Sequence, residues 1–266
     1  MKQSGKAALS SFFSGFKWVD SIADSPLGNG KEITEEDFAL LPLRDLVLYP
    51  NTVVPIFITA HPGIAALEES LRRDKRLFAV CLIKKDPASQ EEISPVGTTV
   101  RIIQHLKLPD NTFRLVLQGE YRGRILSIDK KDNFSLVRVA PIDSEPFPDP
   151  PLPEDIALLR TVQRSFTQYA ELSKKIGAET QLAVEGTENP ERMANLICNS
   201  SQLKCEKKLE LLAIGSARER LAAILDTLER ENEILGIQRN ISGKVRSRME
   251  KTQRDYYLHE QLKEIN

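Results

Sequence analysis

Between Pro141 and Pro153 the chain reads PIDSEPFPDPPLP, six prolines in thirteen residues. Proline fixes φ near about −65° and has no backbone N–H, so neither a helix interior nor a central strand can pass through such a stretch. It marks the clearest boundary in the sequence, and the apolar periodicity differs on its two sides. Before it the dominant repeat is that of strands; after it the repeat is helical. Segregated strands and helices predict an α+β chain.

In the first half, GTTVRIIQHLKL places Val100 and Ile102 on one face and Ile103 on the other, and TFRLVLQG alternates through Phe113, Leu115 and Leu117. Pro109-Asp110-Asn111 between them is turn chemistry: proline presets one dihedral and asparagine tolerates the left-handed region. YRGRILSID and FSLVRVAPI continue the series with Asp132-Asn133 as the next turn, so four strand-like runs predict a meander or small barrel. Gly119 and Gly123 read as a bulge or bend between strands. One helix interrupts, opening near Pro62 with Ile64, Leu67 and Leu71 at helical spacing, before a buried strand at Leu77 to Ile83. Prolines at 42, 50 and 55 argue for short pieces at sheet edges or bends.

In the second half, Asn189-Pro190-Glu191 is a helix start with proline in its first turn, and Gly215-Ser216 parts two further helices, with Ser216 a cap for Glu219. Beyond Gly236 an apolar stripe, Ile241, Val245, Met249, Thr252 and Tyr256, steps by three or four along an otherwise charged rod. The predicted segments are a loose N-terminal extension over 1–39, a β domain over 40–142, a proline-rich linker over 143–153, a helical bundle over 154–235 and a long arm over 236–266. Residues 1–39 begin with a Ser-rich stretch that lacks arginine, which favours a loose extension over a targeting segment.

Several chemistries find no support. At 41% hydrophobic and 28% charged, with net charge −1, the chain has no broad basic excess for nucleic acid, and its longest apolar runs fall far short of a membrane span. There is no phosphate-cradling GxxxxGK[ST] loop, no GxSxG elbow, no HExxH and no paired-cysteine zinc spacing. His61, His105 and His259 have no supporting nucleophile around them and read as surface histidines. The three cysteines, Cys81, Cys198 and Cys205, suit a reducing compartment and read as packing residues. Cys198 and Cys205, if carried on one helix, would be too far apart to bridge.

LPLRDLVLYPNTVVPIFI, IAALEESLRRDKRLFAV, VGTTVRIIQHLKLPDNTFRLVLQGEYRGRI, ENPERMANLICNSSQLKCEKKLELLAIGSARERLAAIL and MEKTQRDYYLHEQLKEI, in this order, resemble the amino-terminal region of the Lon family of ATP-dependent proteases. The resemblance implies a PUA-like β-rich barrel, a helical bundle and a long C-terminal helix, in agreement with the periodicity. It implies capture of unfolded, damaged or degron-bearing proteins, support of a hexamer made with other copies of the chain, and delivery to an AAA+ ring. In the family this region leads into an ATPase that uses ATP and Mg and a Ser-Lys peptidase; their residues have no counterpart here, so the expectation is a non-enzymatic piece of a longer protein, with no cofactor or metal of its own. Membrane and nucleic acid are not expected partners, and the expected location is cytoplasm, with the mitochondrial matrix as the alternative. A stand-alone LON-type domain binding RNA or a small molecule is the competing reading.

The candidate positions follow from the residues. Leu106, Leu108, Pro109 and Phe113 surround a turn tip, where apolar side chains are available to a substrate, although for Phe113, as an aromatic, closing the barrel core is the favoured reading. Ile241, Val245, Met249, Tyr256 and Tyr257 are candidates for self-association or substrate guidance along the arm. Gly236 and Gly243, each costing a helix about 1 kcal/mol relative to alanine, are candidate hinges.

Overall fold

The computed structural model describes residues 36–59, 61–83 and 91–265, with side chains described as far as residue 254. Most of the expected N-terminal extension, residues 1–35, therefore lies outside the described residues. The elements are β1 (Glu36–Arg44), β2 (Val53–Ile58), α1 (His61–Arg72), β3 (Arg76–Ile83), β4 (Glu92–Lys107), β5 (Phe113–Lys130), β6 (Ser135–Pro141), α2 (Pro153–Ser173), α3 (Ala178–Glu185), α4 (Pro190–Ser200), α5 (Cys205–Ala213) and α6 (Ala217–Ile265). They form a mixed six-stranded sheet curled nearly into a barrel, followed by helices and one long C-terminal helix.

The sheet order is β2-β5-β4-β3-β1-β6, and β5 also pairs with β6, which closes the ring. Only β1 and β3 run parallel, with α1 crossing between them. β5 makes this closure feasible because it is 18 residues long. Its first part pairs with β2, its second with β6, and β4 follows most of its length. The expected break around YRGRILSID does not occur. A bulge opposite Thr99/Val100 absorbs the irregularity and the strand continues. Gly119 sits at that bulge because the β1–β2 loop presses on it: a Cβ there would lie 2.1 Å from the Tyr49 carbonyl oxygen.

Proline behaves as its missing N–H requires. Pro55 lies in β2, which pairs on one side only. Pro42 lies inside β1, but β6 pairs with β1 only over Glu36–Ala39, so at Pro42 that edge is already open.

Two cores form on the two faces of the sheet. Leu41, Ile56, Leu77, Val100, Leu115 and Leu117 pack with Ala66 and Leu67 of α1. On the opposite face Phe38, Leu40, Val137 and Val139 enclose Phe78. Burial of each such large apolar side chain contributes about 1.5–3 kcal/mol.

The bundle begins where sequence chemistry permits. Pro153 takes the first helical position of α2, and Asp155 accepts a hydrogen bond from the Leu152 amide at 3.2 Å. The Asn189 side chain caps α4 through the Arg192 amide at 2.9 Å. Ser216 accepts from the Glu219 amide at 3.5 Å at the start of α6. The bundle core of Val162, Phe166, Met193, Ile197, Leu212, Leu221, Ile224 and Leu228 also takes in Val47, Tyr49, Cys81 and Val96 from the strand half. The proline-rich stretch is irregular, yet it is tied down: Phe147 packs on that core and the Ala217 amide donates to the Glu145 carbonyl at 3.1 Å.

Candidate functional site

Two surfaces and one buried junction are the chemically distinctive parts of the molecule. The first surface lies beside the β4–β5 hairpin. Register brings Phe57 of β2, Arg114 of β5 and Leu106 of β4 into one row across three strands. Strand alternation sends Ile56, Ile58 and Leu115 into the core, so this row belongs to the other face. Phe57 is 48% and Leu106 50% exposed. One row away Val116 faces Pro55 and Gln104, and Ile103 occupies a bulge with 52% of its surface open.

Of the four hairpin candidates, Leu106 and Pro109 are exposed and Leu108 is half-buried. Phe113 turns back onto the α1-side core, with the Lys107 ammonium 5.6 Å from its ring centroid. The tip itself is a tight turn. Leu108 donates its amide to the Thr112 carbonyl at 2.8 Å, and Asn111 takes the left-handed conformation at φ 60°. Phe57 was not legible as part of the site, because its place depends on β2 pairing with β5. The alternation in PIFI was the available signal.

The second surface is the arm. α6 runs as one helix from Ala217 to Ile265, unbroken at Gly236 and Gly243, beside which a Cβ would meet nothing within 4 Å. Ile234, Ile237, Ile241, Val245 and Met249 are 49–60% exposed. Their spacing of three and four residues puts them on one face. Around them Arg239, Lys244, Arg246, Arg248, Lys251 and Arg254 face one acid, Glu250, a local net of +5. The side chains of Tyr256 and Tyr257 lie outside the described residues, although their backbone belongs to α6.

The junction between sheet and bundle is polar at its centre. Arg122 of β5, 3% exposed, donates to the Leu212 carbonyl at 3.0 Å, to the Ile214 carbonyl and to Glu191 at 3.1 Å. The other oxygen of Glu191 accepts from the fully buried Arg220 at 3.0 Å, and Arg220 also reaches Asn195 at 2.7 Å. Arg220 lies over the Tyr49 ring at 5.6 Å, and Tyr49 donates its hydroxyl to the Lys208 carbonyl at 2.6 Å. Burial, then repulsion from Arg220, brings Arg122 down to about 10. Burial also pushes the Tyr49 phenol well up. This arrangement is a fastening: Arg122 and the two terminal nitrogens of Arg220 are directed at other parts of the chain, while Arg220 Nε is buried without a hydrogen-bond partner among the described residues.

Cys198 and Cys205 do not share a helix. Cys198 is in α4, whereas Cys205 opens α5 and packs against the core that contains Cys81 of β3, whose thiol donates to the Leu82 carbonyl at 3.6 Å. Among the described residues no cluster of His, Cys, Asp or Glu could hold a metal ion, and no helix is long and apolar enough to cross a membrane.

The curled mixed sheet, with exposed Phe57 and Leu106 on either side of Arg114, is joined to a helical bundle and an arm. Residues 38–230 match the family described as the ATP-dependent protease La (LON) substrate-binding domain, and the chain belongs to that family. It is 35% identical over 236 residues to Lon protease 1 of Bacillus subtilis, covering 88% of this chain and 30% of that protein. It is 34% identical over 246 residues to the Lon protease of Brucella suis, covering 91% and 30%. The chain thus spans 30% of the length of these relatives. The N-terminal domain of a Mycobacterium avium complex Lon protease has the same fold, with a TM-score of 0.60 at 20% identity over 73% of this chain and 98% of that one. A Lon N-terminal domain protein from Xanthomonas campestris aligns with a TM-score of 0.52 at 17% identity over 72% and 98%.

Proposed function

We propose that this chain captures unfolded or damaged protein segments and presents them to a proteolytic machine whose ATP-, Mg- and Ser-Lys-dependent chemistry resides in other modules. The observation that carries this reading is the exposed row of Phe57 and Leu106 with Ile103 beside it, in a family described by substrate binding. An unfolded chain offers scattered apolar side chains and free backbone groups. An open apolar face grips the former without demanding a sequence, and the contact is shallow enough for a motor to pull the segment away. The arm is the proposed contact with other copies of the chain, since its apolar stripe has no covering helix among the described residues.

The test is binding of a fluorescently labelled, permanently unfolded protein such as reduced and carboxymethylated lactalbumin, followed by anisotropy at low and high salt. Wild-type chain is expected to bind weakly and with little salt dependence. Phe57→Ser with Leu106→Ser is expected to lower affinity at least about tenfold, which corresponds to roughly 1.4 kcal/mol. Both side chains are half exposed, so the doubly substituted chain keeps its fold. Unchanged affinity in a folded double variant would place the capture surface elsewhere.

A further inference from the structure

Towards the β4–β5 hairpin, β4 outruns its neighbour β3. The pairing of the two stops at Arg101 opposite Arg76, and the Ile102 amide makes a last bond on that side to the Lys75 carbonyl at 2.8 Å. On its other side β4 stays paired with β5 as far as Lys107 opposite Phe113. Ile103–Lys107 thus form a sheet edge with no strand beside it among the described residues, and every one of these residues is exposed.

Two of them aim backbone groups off the sheet. Along an antiparallel strand, successive residues turn their N–H and C=O alternately to one neighbour and to the other. The Leu108 amide bonds across the hairpin to the Thr112 carbonyl at 2.8 Å. Counting back, Leu106 faces β5, whereas His105 and Lys107 turn both N–H and C=O to the open edge. Ile102 faces outward as well, and the bulge at Ile103 absorbs the odd residue between them. The same edge borders the apolar row, since Leu106 lies opposite Arg114 and Arg114 opposite Phe57.

We propose that an extended segment of an unfolded protein adds as a further strand along Ile103–Lys107, hydrogen-bonded to the backbone of His105 and Lys107; this rests on the capture reading above and gives it a geometry. A strand laid there continues the β2-β5-β4 face, and its alternate side chains fall beside exposed Leu106. Backbone recognition of this kind selects for unfolded chain, because a folded protein has already paired nearly all its N–H and C=O groups. The preferred segment is free of proline and apolar at every second position. A short edge, bulged and carrying a lysine, discourages lasting pairing with the edge of a second copy, yet it leaves a passing segment a few bonds at a time.

The experiment adds reduced and carboxymethylated lactalbumin to the whole chain and follows amide hydrogen exchange residue by residue by NMR. When the probe fills most sites, the His105 and Lys107 amides are expected to exchange about tenfold more slowly, and those of Leu106 and Leu108, already bonded to β5, to change little. His105→Pro with Lys107→Pro removes both outward donors and no bond of β4 to β5, a place where a sheet tolerates proline. It is expected to lower affinity for the probe at least about tenfold by anisotropy, with an unchanged circular dichroism spectrum. If that variant does not fold, exchange in the wild-type chain decides alone. Strand addition is overturned, and the capture reading kept, if the probe binds through Phe57 and Leu106 while the His105 and Lys107 amides exchange as before. Protection of those amides that grows with chain concentration in the absence of probe would assign the edge to a second copy and overturn the proposal. A probe that does not bind at all overturns both readings.

Discussion

Arg122 in the middle of β5 and Glu191 in the first turn of α4 meet at 3.1 Å, with the arginine side chain 3% exposed. This pair joins the strand half to the helical half at the point where the proline-rich stretch passes outside them, and Ser144 of that stretch donates to the same Glu191 oxygen. Glu191 is therefore the anion on which two buried guanidinium groups depend.

Removing it leaves Arg122 and Arg220 buried without a counter-charge. Glu191→Ala is expected to lower unfolding free energy by about 3 kcal/mol, since breaking a buried pair strands its partner. The exposed pair Arg246–Glu250 at 2.9 Å is the control, and Glu250→Ala is expected to cost no more than about 0.5 kcal/mol. Urea titration of both variants measures the difference.

Gly119 and Gly243 are expected to respond in opposite directions to alanine. At Gly119 the new methyl would strike the Tyr49 carbonyl, a backbone atom that cannot swing away, and a loss of about 1–3 kcal/mol is expected. At Gly243 nothing is in reach, and alanine is expected to raise the helicity of the arm by circular dichroism with a gain of about 1 kcal/mol in helix propensity. If Gly243 also serves as a bend, stiffening it is expected to leave capture of unfolded protein unchanged while slowing degradation in a full-length protease carrying the substitution.

Tyr49→Phe removes only the hydroxyl that satisfies the Lys208 carbonyl. The Lys208 carbonyl lies inside α5 and keeps its place in the helical ladder, so the expected loss is that of one hydrogen bond, about 0.5–1.5 kcal/mol by thermal or urea unfolding. Reduced protection of the α5 amides in hydrogen exchange would locate the effect at the junction.

Alkylation separates the cysteines by pH. Cys205, brought down to about 7 chiefly by the neighbouring Cys81 thiol, is expected to react with iodoacetamide at a rate that rises with a midpoint near that value. The rate increases upward in pH because the thiolate is the nucleophile. Cys81→Ala removes that neighbouring thiol and is expected to move the midpoint higher, read by timed quenching and peptide mass.

The arm's stripe predicts concentration-dependent association. Light scattering across a hundredfold dilution is expected to show growth in mass for the chain, which Ile241→Asp with Val245→Asp abolishes. Monomeric mass at every concentration would leave the arm as a connector alone.

Patterns that repeat locally were readable in the sequence. Val100 and Ile102 do point inward while Ile103 points out, Asn189 does cap α4, and the proline-rich stretch does part strands from helices. What escaped depends on distant partners. The length of β5 was hidden because Gly119 and Gly123 look like ends unless Tyr49 and Phe78 are known to press on them. Pro42 looked incompatible with an internal strand because the early end of β6 pairing cannot be inferred from β1 itself. Arg122, Glu191 and Arg220 carry no local signature. On the proposed capture surface, the exposure of Leu106 was readable from its place beside a turn, whereas that of Phe57 needed the register of another strand.

α6 is held at its root by Leu221, Ile224 and Leu228 and by Asn232, whose amide donates to the Ser165 carbonyl at 3.0 Å. Beyond Leu235 thirty further positions continue the same helix to Ile265, which at 1.5 Å per residue is about 45 Å of cantilever. A tilt of about 10° at the clamped end sweeps the far end through roughly 8 Å over that length. Small adjustments among the packed side chains around Phe166 and Leu228 are thereby geared up into displacements on the scale of a peptide segment, and a tug at the tip returns to the same few side chains as torque.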